Sequence, residues 1–194
     1  DPDALVPAAK RANEAGIPVA IIDSALSDAG KGTYQTFLST DNCAAGKLAA
    51  DRMIELTGGE GKVAVMSYVA GVGSEIGRVG CFVDKIKADS KIEIVGPYYS
   101  QSQMATALNQ TTDVLAANPD LKGIFGANEP TAVGMGRAIK QAGKAGQVSA
   151  IGFDGNKDLQ DVMDGQSVEP QIDTGVVLVT KDNIDSDEAQ NVLY

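Results

Sequence analysis

Ala150-Ile151-Gly152-Phe153-Asp154-Gly155-Asn156 is an apolar run that ends on a carboxylate and turns through glycine towards a helix. Two other apolar runs end in the same way. Val19-Ala20-Ile21-Ile22 stops at Asp23, and Gly123-Ile124-Phe125-Gly126-Ala127 stops at Asn128. Short apolar runs alternating with segments of helical spacing predict strands buried on both faces of a parallel sheet. Such a sheet binds ligands in the crevice outside the carboxyl ends of its strands, so Asp23, Asn128 and Asp154 are expected to converge on one cleft. An Asp, an Asn and an Asp suit neutral hydroxyls better than phosphate.

The same alternation extends outward along the chain. Asp3 to Ala15 puts Leu5, Ala8, Ala9 and Ala12 on one helical face, and Gly16 ends it before the run Val19 to Ile22. Ala45, Leu48, Ala49, Met53 and Leu56 form a stripe over Asn42 to Leu56, broken by Gly58-Gly59-Glu60-Gly61 before a strand at Lys62 to Met66. Ser74 to Ala88, with Val79, Phe82, Val83 and Ile86 inward, leads to the strand Ile92 to Val95. Met104, Leu108, Thr111 and Leu115 mark a further helix, followed by the strand Gly123 to Ala127, the helix Thr131 to Ala142 and the strand Val148 to Phe153. Lys157 to Met163 reads as a last helix, and Ile172 to Val179 as a last apolar segment. Strand starts about thirty residues apart have the spacing of βαβ units. The fold class predicted is α/β, with a mostly parallel, doubly wound sheet.

Composition narrows the function. Lys and Arg number 16 against 26 Asp and Glu, a formal net charge of -10 with a pI near 4.4. That charge repels a phosphate backbone and anionic headgroups alike, so neither nucleic acid nor direct membrane insertion is expected. No apolar run approaches the roughly 20 residues of a bilayer span. Histidine is absent from the chain, which removes the commonest general base and transition-metal ligand together. Cys43 and Cys81 are too few for a disulfide scaffold and lack zinc spacing. They read as small buried thiols, and whether they pair stays open. Gly71, Gly73 and Gly77 give G-x-G-x-x-x-G, one residue too long for a dinucleotide fingerprint. Asn109-Gln110-Thr111 is a sequon inside a predicted helix, where it reads as chance.

Six ordered motifs together resemble one family. They are Asn13-Glu14-Ala15-Gly16-Ile17-Pro18-Val19; Thr40-Asp41-Asn42 with Ala45-Gly46; Arg78-Val79-Gly80-Cys81-Phe82; Asn118-Pro119-Asp120; Gly126-Ala127-Asn128-Glu129 with Ala132 and Gly134; and Gly152-Phe153-Asp154-Gly155-Asn156. The chain resembles the type I periplasmic sugar-binding proteins of bacterial ABC importers, the ribose-binding-protein group. The resemblance implies two Rossmann-like lobes joined by crossover strands, with a monosaccharide held between them. On that template residues 1–40 are the end of the first lobe, 41–167 the second lobe, and 168–194 the third crossover strand and tail. It also implies that the chain is a fragment, lacking the first half of lobe one and a strand-helix unit near Val168.

Carried over residue by residue, the resemblance makes Asp23, Arg78, Asn128 and Asp154 ligand-binding, and adds Ser24 and Ser102 as weaker candidates. Each suits the task chemically. Ionised carboxylates accept hydroxyl hydrogens strongly, an amide gives and accepts, and a guanidinium offers a fixed fork of donors for a ring oxygen and its neighbours. The bland alternatives are a turn or capping role for Asp23 and Asp154 and a solvent-facing Arg78. Arg78 is placed in the first turn of its helix, and Asp154 is read as capping a helix that begins near Asn156. Many sugar binders have Arg where Ser24 stands here, and an aromatic ring near Ser102, with Tyr98 and Tyr99 as nearby substitutes.

The function so implied is capture of a monosaccharide and its delivery to an ABC permease. No catalytic residue, metal or cofactor is expected, and the protein is read as monomeric and not an enzyme. It is placed in the periplasm or lipid-anchored outside the cell, with its export signal outside this sequence. The alternative is the ligand-sensing core of a LacI-type regulator, which shares the fold but needs a basic helix-turn-helix. A third class, an α/β enzyme, lacks a histidine, a G-x-S-x-G elbow and an intact nucleotide loop.

Overall fold

The computed structural model describes residues 1–154 together with residues 184, 186 and 187. The expected helix Lys157 to Met163 and the segment Ile172 to Val179 lie outside the described residues. Helix α1 (Val6–Glu14) precedes strand β1 (Ala20–Ile22), and a short 3-10 turn (Asp28–Gly30) leads to strand β2 (Thr36–Leu38). Then come α2 (Asn42–Thr57), β3 (Glu60–Ser67), α3 (Gly73–Asp89), β4 (Lys91–Tyr99), α4 (Met104–Ala117), β5 (Leu121–Gly126), α5 (Glu129–Gln141) and β6 (Ser149–Gly152). Strands β1 and β2 make a parallel pair, and the others form a four-stranded sheet in the order β4-β3-β5-β6. Every pairing in it is parallel.

The alternation of side chains along β3 explains the three-layer build. Val63 and Val65 face α2 and α3, where they meet Ala45, Ala49, Met53, Val79, Phe82 and Ile86. Ala64 and Met66 face α4 and α5, against Val114, Leu115, Met135 and Ile139. The sheet is therefore wound on both faces, as the sequence predicts. Phe82 of α3 stacks on Phe125 of β5 with ring centroids 4.4 Å apart. Helix α2 starts where Asp41 accepts from the Ala44 N–H at 3.0 Å, and it stops at Gly58, whose φ of 73° ends the helix in the left-handed region.

Because β3 runs out to β4 on one side and the chain then returns to β5 on the other, the sheet has its switch point between the carboxyl ends of β3 and β5. Those ends carry the residues considered below.

Three details differ from the sequence reading. Leu5 is 64% exposed, and Val6 and Ala9 are the residues of α1 that turn inward. Strand β2 was not expected: it is three residues long and all of them are exposed. It forms because it pairs with β1 in register, Ile21 against Phe37, and not through any local pattern. The third correction is covalent. Cys43 and Cys81, read as buried thiols, form a disulfide across 38 residues, with Cα atoms 5.2 Å apart. Packing of α2 on α3 brings the two cysteines together. At Gly46 this seam is so close that a Cβ would lie 2.1 Å from the Arg78 carbonyl oxygen.

Candidate functional site

Arg78 lies beside the carboxyl ends of β5 and β6, against the Ala127 carbonyl and the Phe153 ring. Helix α3 begins at Gly73, so Arg78 sits in the second turn and not the first as expected. The residue is 5% exposed, which removes the solvent-facing reading. Its guanidinium carbon stands 3.4 Å from the centroid of the Phe153 ring and 5.7 Å from that of Tyr68, within cation–π range of both. Nε and Nη2 donate to Asn42 Oδ1 at 3.2 and 2.9 Å, and Nη1 donates to the Ala127 carbonyl at the end of β5. Of the five N–H groups of a guanidinium, these bonds use three and leave two without a partner among the described residues. Burial pushes the guanidinium below its ordinary value, while Tyr68, Asp154 and Asp23 act in the opposite direction.

Asn128 and Asp154 meet at the start of α5. Asn128 is its N-cap, with Oδ1 accepting from the Thr131 N–H at 3.3 Å, while Nδ2 donates to Ser102 Oγ at 3.1 Å. Asp154 Oδ2 accepts from the Glu129 N–H, the first residue of the same helix, at 3.2 Å. The carboxylate thus serves α5, whereas the sequence assigned it to a helix near Asn156; that helix lies outside the described residues. Adjacent strand ends in a parallel sheet place a side chain on one strand over the helix that follows its neighbour. An anionic oxygen there also complements the positive end of the α5 dipole.

Asp23 follows β1 and is exposed. Its Oδ2 accepts from Ser24 Oγ at 3.2 Å, and Ser24 Oγ lies 2.9 Å from Ser74 Oγ on α3. The segment after β1 therefore touches the start of α3 at this point. Of the six residues singled out from the sequence, Arg78, Asn128, Asp154 and Ser102 lie on the rim of the four-stranded sheet, and Asp23 and Ser24 reach it from β1. Tyr98 and Tyr99 are the last residues of β4, and Tyr98 is 36% exposed.

Backbone strain gathers on the same rim. Among the described residues, the non-glycine residues with positive φ are Asp23 (66°), Gln101 (55°), Ser102 (54°) and Asp154 (67°). Each follows the carboxyl end of a strand. Left-handed backbone is costly for residues with a Cβ, and it concentrates where a site over-determines it.

Asn42, Tyr68 and Phe153 escaped the sequence reading. Asn42 was visible only as part of Thr40-Asp41-Asn42, and nothing in its neighbourhood points to an arginine 36 residues away. Besides holding Arg78 it donates to the Thr40 carbonyl at 3.1 Å and to Ser39 Oγ at 3.3 Å, and Ser39 in turn donates to the Asp23 carbonyl at 2.6 Å. Phe153 was counted as strand core; its ring face is what Arg78 uses. No group of three or more His, Cys, Asp or Glu able to hold a metal is present among the described residues.

With a buried, oriented guanidinium ringed by acceptors at strand ends, this crevice can grip a polar, uncharged molecule rich in hydroxyls. Comparison with known proteins identifies the family. A periplasmic binding protein domain model matches residues 1–183. The crystal structure of an ABC transporter solute binding protein from Agrobacterium vitis, with bound D-fucose, superposes with a TM-score of 0.92 at 65% sequence identity, covering 100% of this chain and 77% of that one. The ribose import binding protein RbsB of Salmonella typhimurium is 33% identical over 158 residues, 81% of this chain and 52% of its own length. The D-allose-binding periplasmic protein of Escherichia coli is 35% identical over 125 residues, 64% of this chain and 40% of its own. The chain thus spans about half the length of the curated relatives it matches. From its fold, its motifs and these likenesses, the chain belongs to the periplasmic binding protein family, in its type I, ribose-binding-protein-like branch.

Proposed function

We propose that this chain is part of a solute-binding protein that captures a monosaccharide in the cleft and delivers it to the permease of an ABC importer. The observation that carries this reading is Arg78, buried against Phe153 with two N–H groups left for a ligand and the acceptors Asp23, Asn128 and Asp154 around it. In this reading the β1-β2 sheet belongs to the first lobe (residues 1–40) and the four-stranded sheet to the second, which begins at residue 41. No bond is made or broken. Ligand binding shifts an open-closed equilibrium because the sugar meets both lobes only when they close. D-fucose, the ligand in the Agrobacterium vitis relative, is the first sugar to try.

The protein acts outside the cytoplasmic membrane, in the periplasm or lipid-anchored, as a monomer. The Cys43–Cys81 disulfide supports that compartment, since disulfides persist in oxidising surroundings, and it counts against a cytosolic LacI-type regulator.

Thermal unfolding of the full-length protein against aldopentoses, aldohexoses, 6-deoxyhexoses and polyols tests the reading. A ligand at about 100 times its dissociation constant adds roughly 2.7 kcal/mol, a rise of several degrees. A shift with one or two sugars is expected. No shift with any of them overturns the sugar reading.

A further inference from the structure

We propose that Tyr68 is a positioning residue for Asp23, acting from the second lobe through a one-way chain of hydroxyls, Tyr68 to Ser74 to Ser24, that ends on the Asp23 carboxylate. The role given to Asp23 rests on the sugar-binding reading above; the chain of hydroxyls itself does not.

The direction of the chain follows from counting hydrogens. The Tyr68 hydroxyl donates to Ser74 Oγ at 2.9 Å, and Ser24 Oγ donates to Asp23 Oδ2 at 3.2 Å. Between them the Ser24 and Ser74 oxygens are 2.9 Å apart, and that distance alone leaves the donor open. Each hydroxyl owns a single hydrogen. Ser24 has given its hydrogen to the carboxylate, so Ser74 must donate to Ser24, and Ser74 can then only accept from Tyr68. All three O–H bonds point towards one ionised oxygen, the arrangement in which successive hydrogen bonds polarise one another.

The two ends of the chain differ in exposure. Tyr68 is 6% exposed and Ser74 4% exposed, both fixed at the carboxyl edge of the four-stranded sheet and the start of α3. Asp23 is exposed at the end of a three-residue strand. The chain therefore carries the placement of a buried phenol to an otherwise loosely held carboxylate. One oxygen of Asp23 is fixed by it, and Oδ1 keeps no partner among the described residues. The backbones come together at the same place: a Cβ on Gly73 would stand 3.0 Å from the Ala25 nitrogen and 3.1 Å from its oxygen. A larger residue at 73 would have to push Ala25 back by a few tenths of an ångström, so glycine there eases the approach that lets Ser74 reach Ser24. The hydroxyls stand where the resemblance leads one to expect an arginine at position 24, and they restore a donor to Asp23 without adding charge.

Tyr68 faces Arg78, Glu75 and Asp23 as well as Ser74. Burial above all, with the Asp23 and Glu75 carboxylates, pushes its phenol above the ordinary value, against the opposing charge of Arg78. The donor role thus holds at neutral pH.

Tyr68→Phe removes the hydroxyl and keeps the ring beside Arg78. In the full-length protein it should lower D-fucose affinity about five- to tenfold, as read by calorimetry, while in a Ser24→Ala background, where the chain is already cut, it should change affinity less than twofold. Equal losses in both backgrounds, or unchanged affinity in the parent, overturn the proposal. A ligand-free measurement decides it independently: in crystal structures of the sugar-free protein the Asp23 carboxylate should hold one rotamer in the parent and lose it in Ser24→Ala and, to a lesser degree, in Tyr68→Phe. An Asp23 side chain equally ordered in all three proteins overturns the chain. If the unmodified protein takes up no sugar, the sugar-binding reading fails, and the side-chain order still decides whether the hydroxyls hold Asp23.

Discussion

The Arg78 guanidinium carbon stands 3.4 Å from the centre of the Phe153 ring, so a residue from the second turn of α3 is stacked on the residue that follows β6. This contact joins two elements far apart in sequence at the carboxyl edge of the sheet. It holds the guanidinium plane fixed while its remaining N–H groups stay available. A charged group buried like this is tolerable only because Asn42, the Ala127 carbonyl and the ring faces stand in for water.

Arg78→Ala should therefore weaken sugar binding at least tenfold, about 1.4 kcal/mol, and also lower stability, since Asn42 Oδ1 and the Ala127 carbonyl lose their donors. Calorimetry and urea unfolding on the full-length protein measure the two effects. Unchanged affinity would remove Arg78 from the site.

Asn42 can be separated from the ligand itself. Asn42→Ala takes away the acceptor of both Nε and Nη2, and about a tenfold loss of affinity is expected, of the size of one charged hydrogen bond. Asn42→Asp keeps the acceptor and should hold affinity within about threefold of the parent. If the two variants behave alike, Asn42 does not orient the arginine.

Reduction of the Cys43–Cys81 disulfide frees a loop closed across 38 residues. Loop-closure entropy alone puts the cost at about 3–4 kcal/mol. The paired substitution Cys43→Ser with Cys81→Ser should show it as a lower urea midpoint that no longer responds to reductant. An unmodified protein whose midpoint ignores reductant would mean that the pair contributes nothing.

Two helical glycines should respond with opposite signs. Gly46→Ala places a methyl 2.1 Å from the Arg78 carbonyl oxygen, so α2 and α3 must part, at a cost of about 1–3 kcal/mol. Gly80, in the interior of α3, has nothing within 4 Å of an added Cβ. Gly80→Ala should stabilise by up to about 1 kcal/mol through helix propensity. Thermal unfolding of both variants checks the pair.

What could be read from the chain alone was whatever depends on local period. Apolar runs such as Val63 to Met66 and stripes such as Ala45, Ala49 and Met53 state their element directly, because a strand repeats every two residues and a helix every 3.6. The grouping of Asn128 and Asp154 was legible too, since parallel strands must all end on one edge. Strand β2 was not, because Thr36–Leu38 is held by pairing with β1 and has no burial pattern of its own. Side-chain partners across the cleft were hidden for a related reason. The bonds from Arg78 to Asn42, from Asp154 to the start of α5 and from Ser74 to Ser24, and the Cys43–Cys81 link, join residues 25 to 50 positions apart. Hydrogen bonds and disulfides act over a few ångströms, and which groups come that close is decided by how helices pack on the sheet. The residue types and their places at strand ends were therefore set by the sequence, while the partners that hold them in position were set by the tertiary structure.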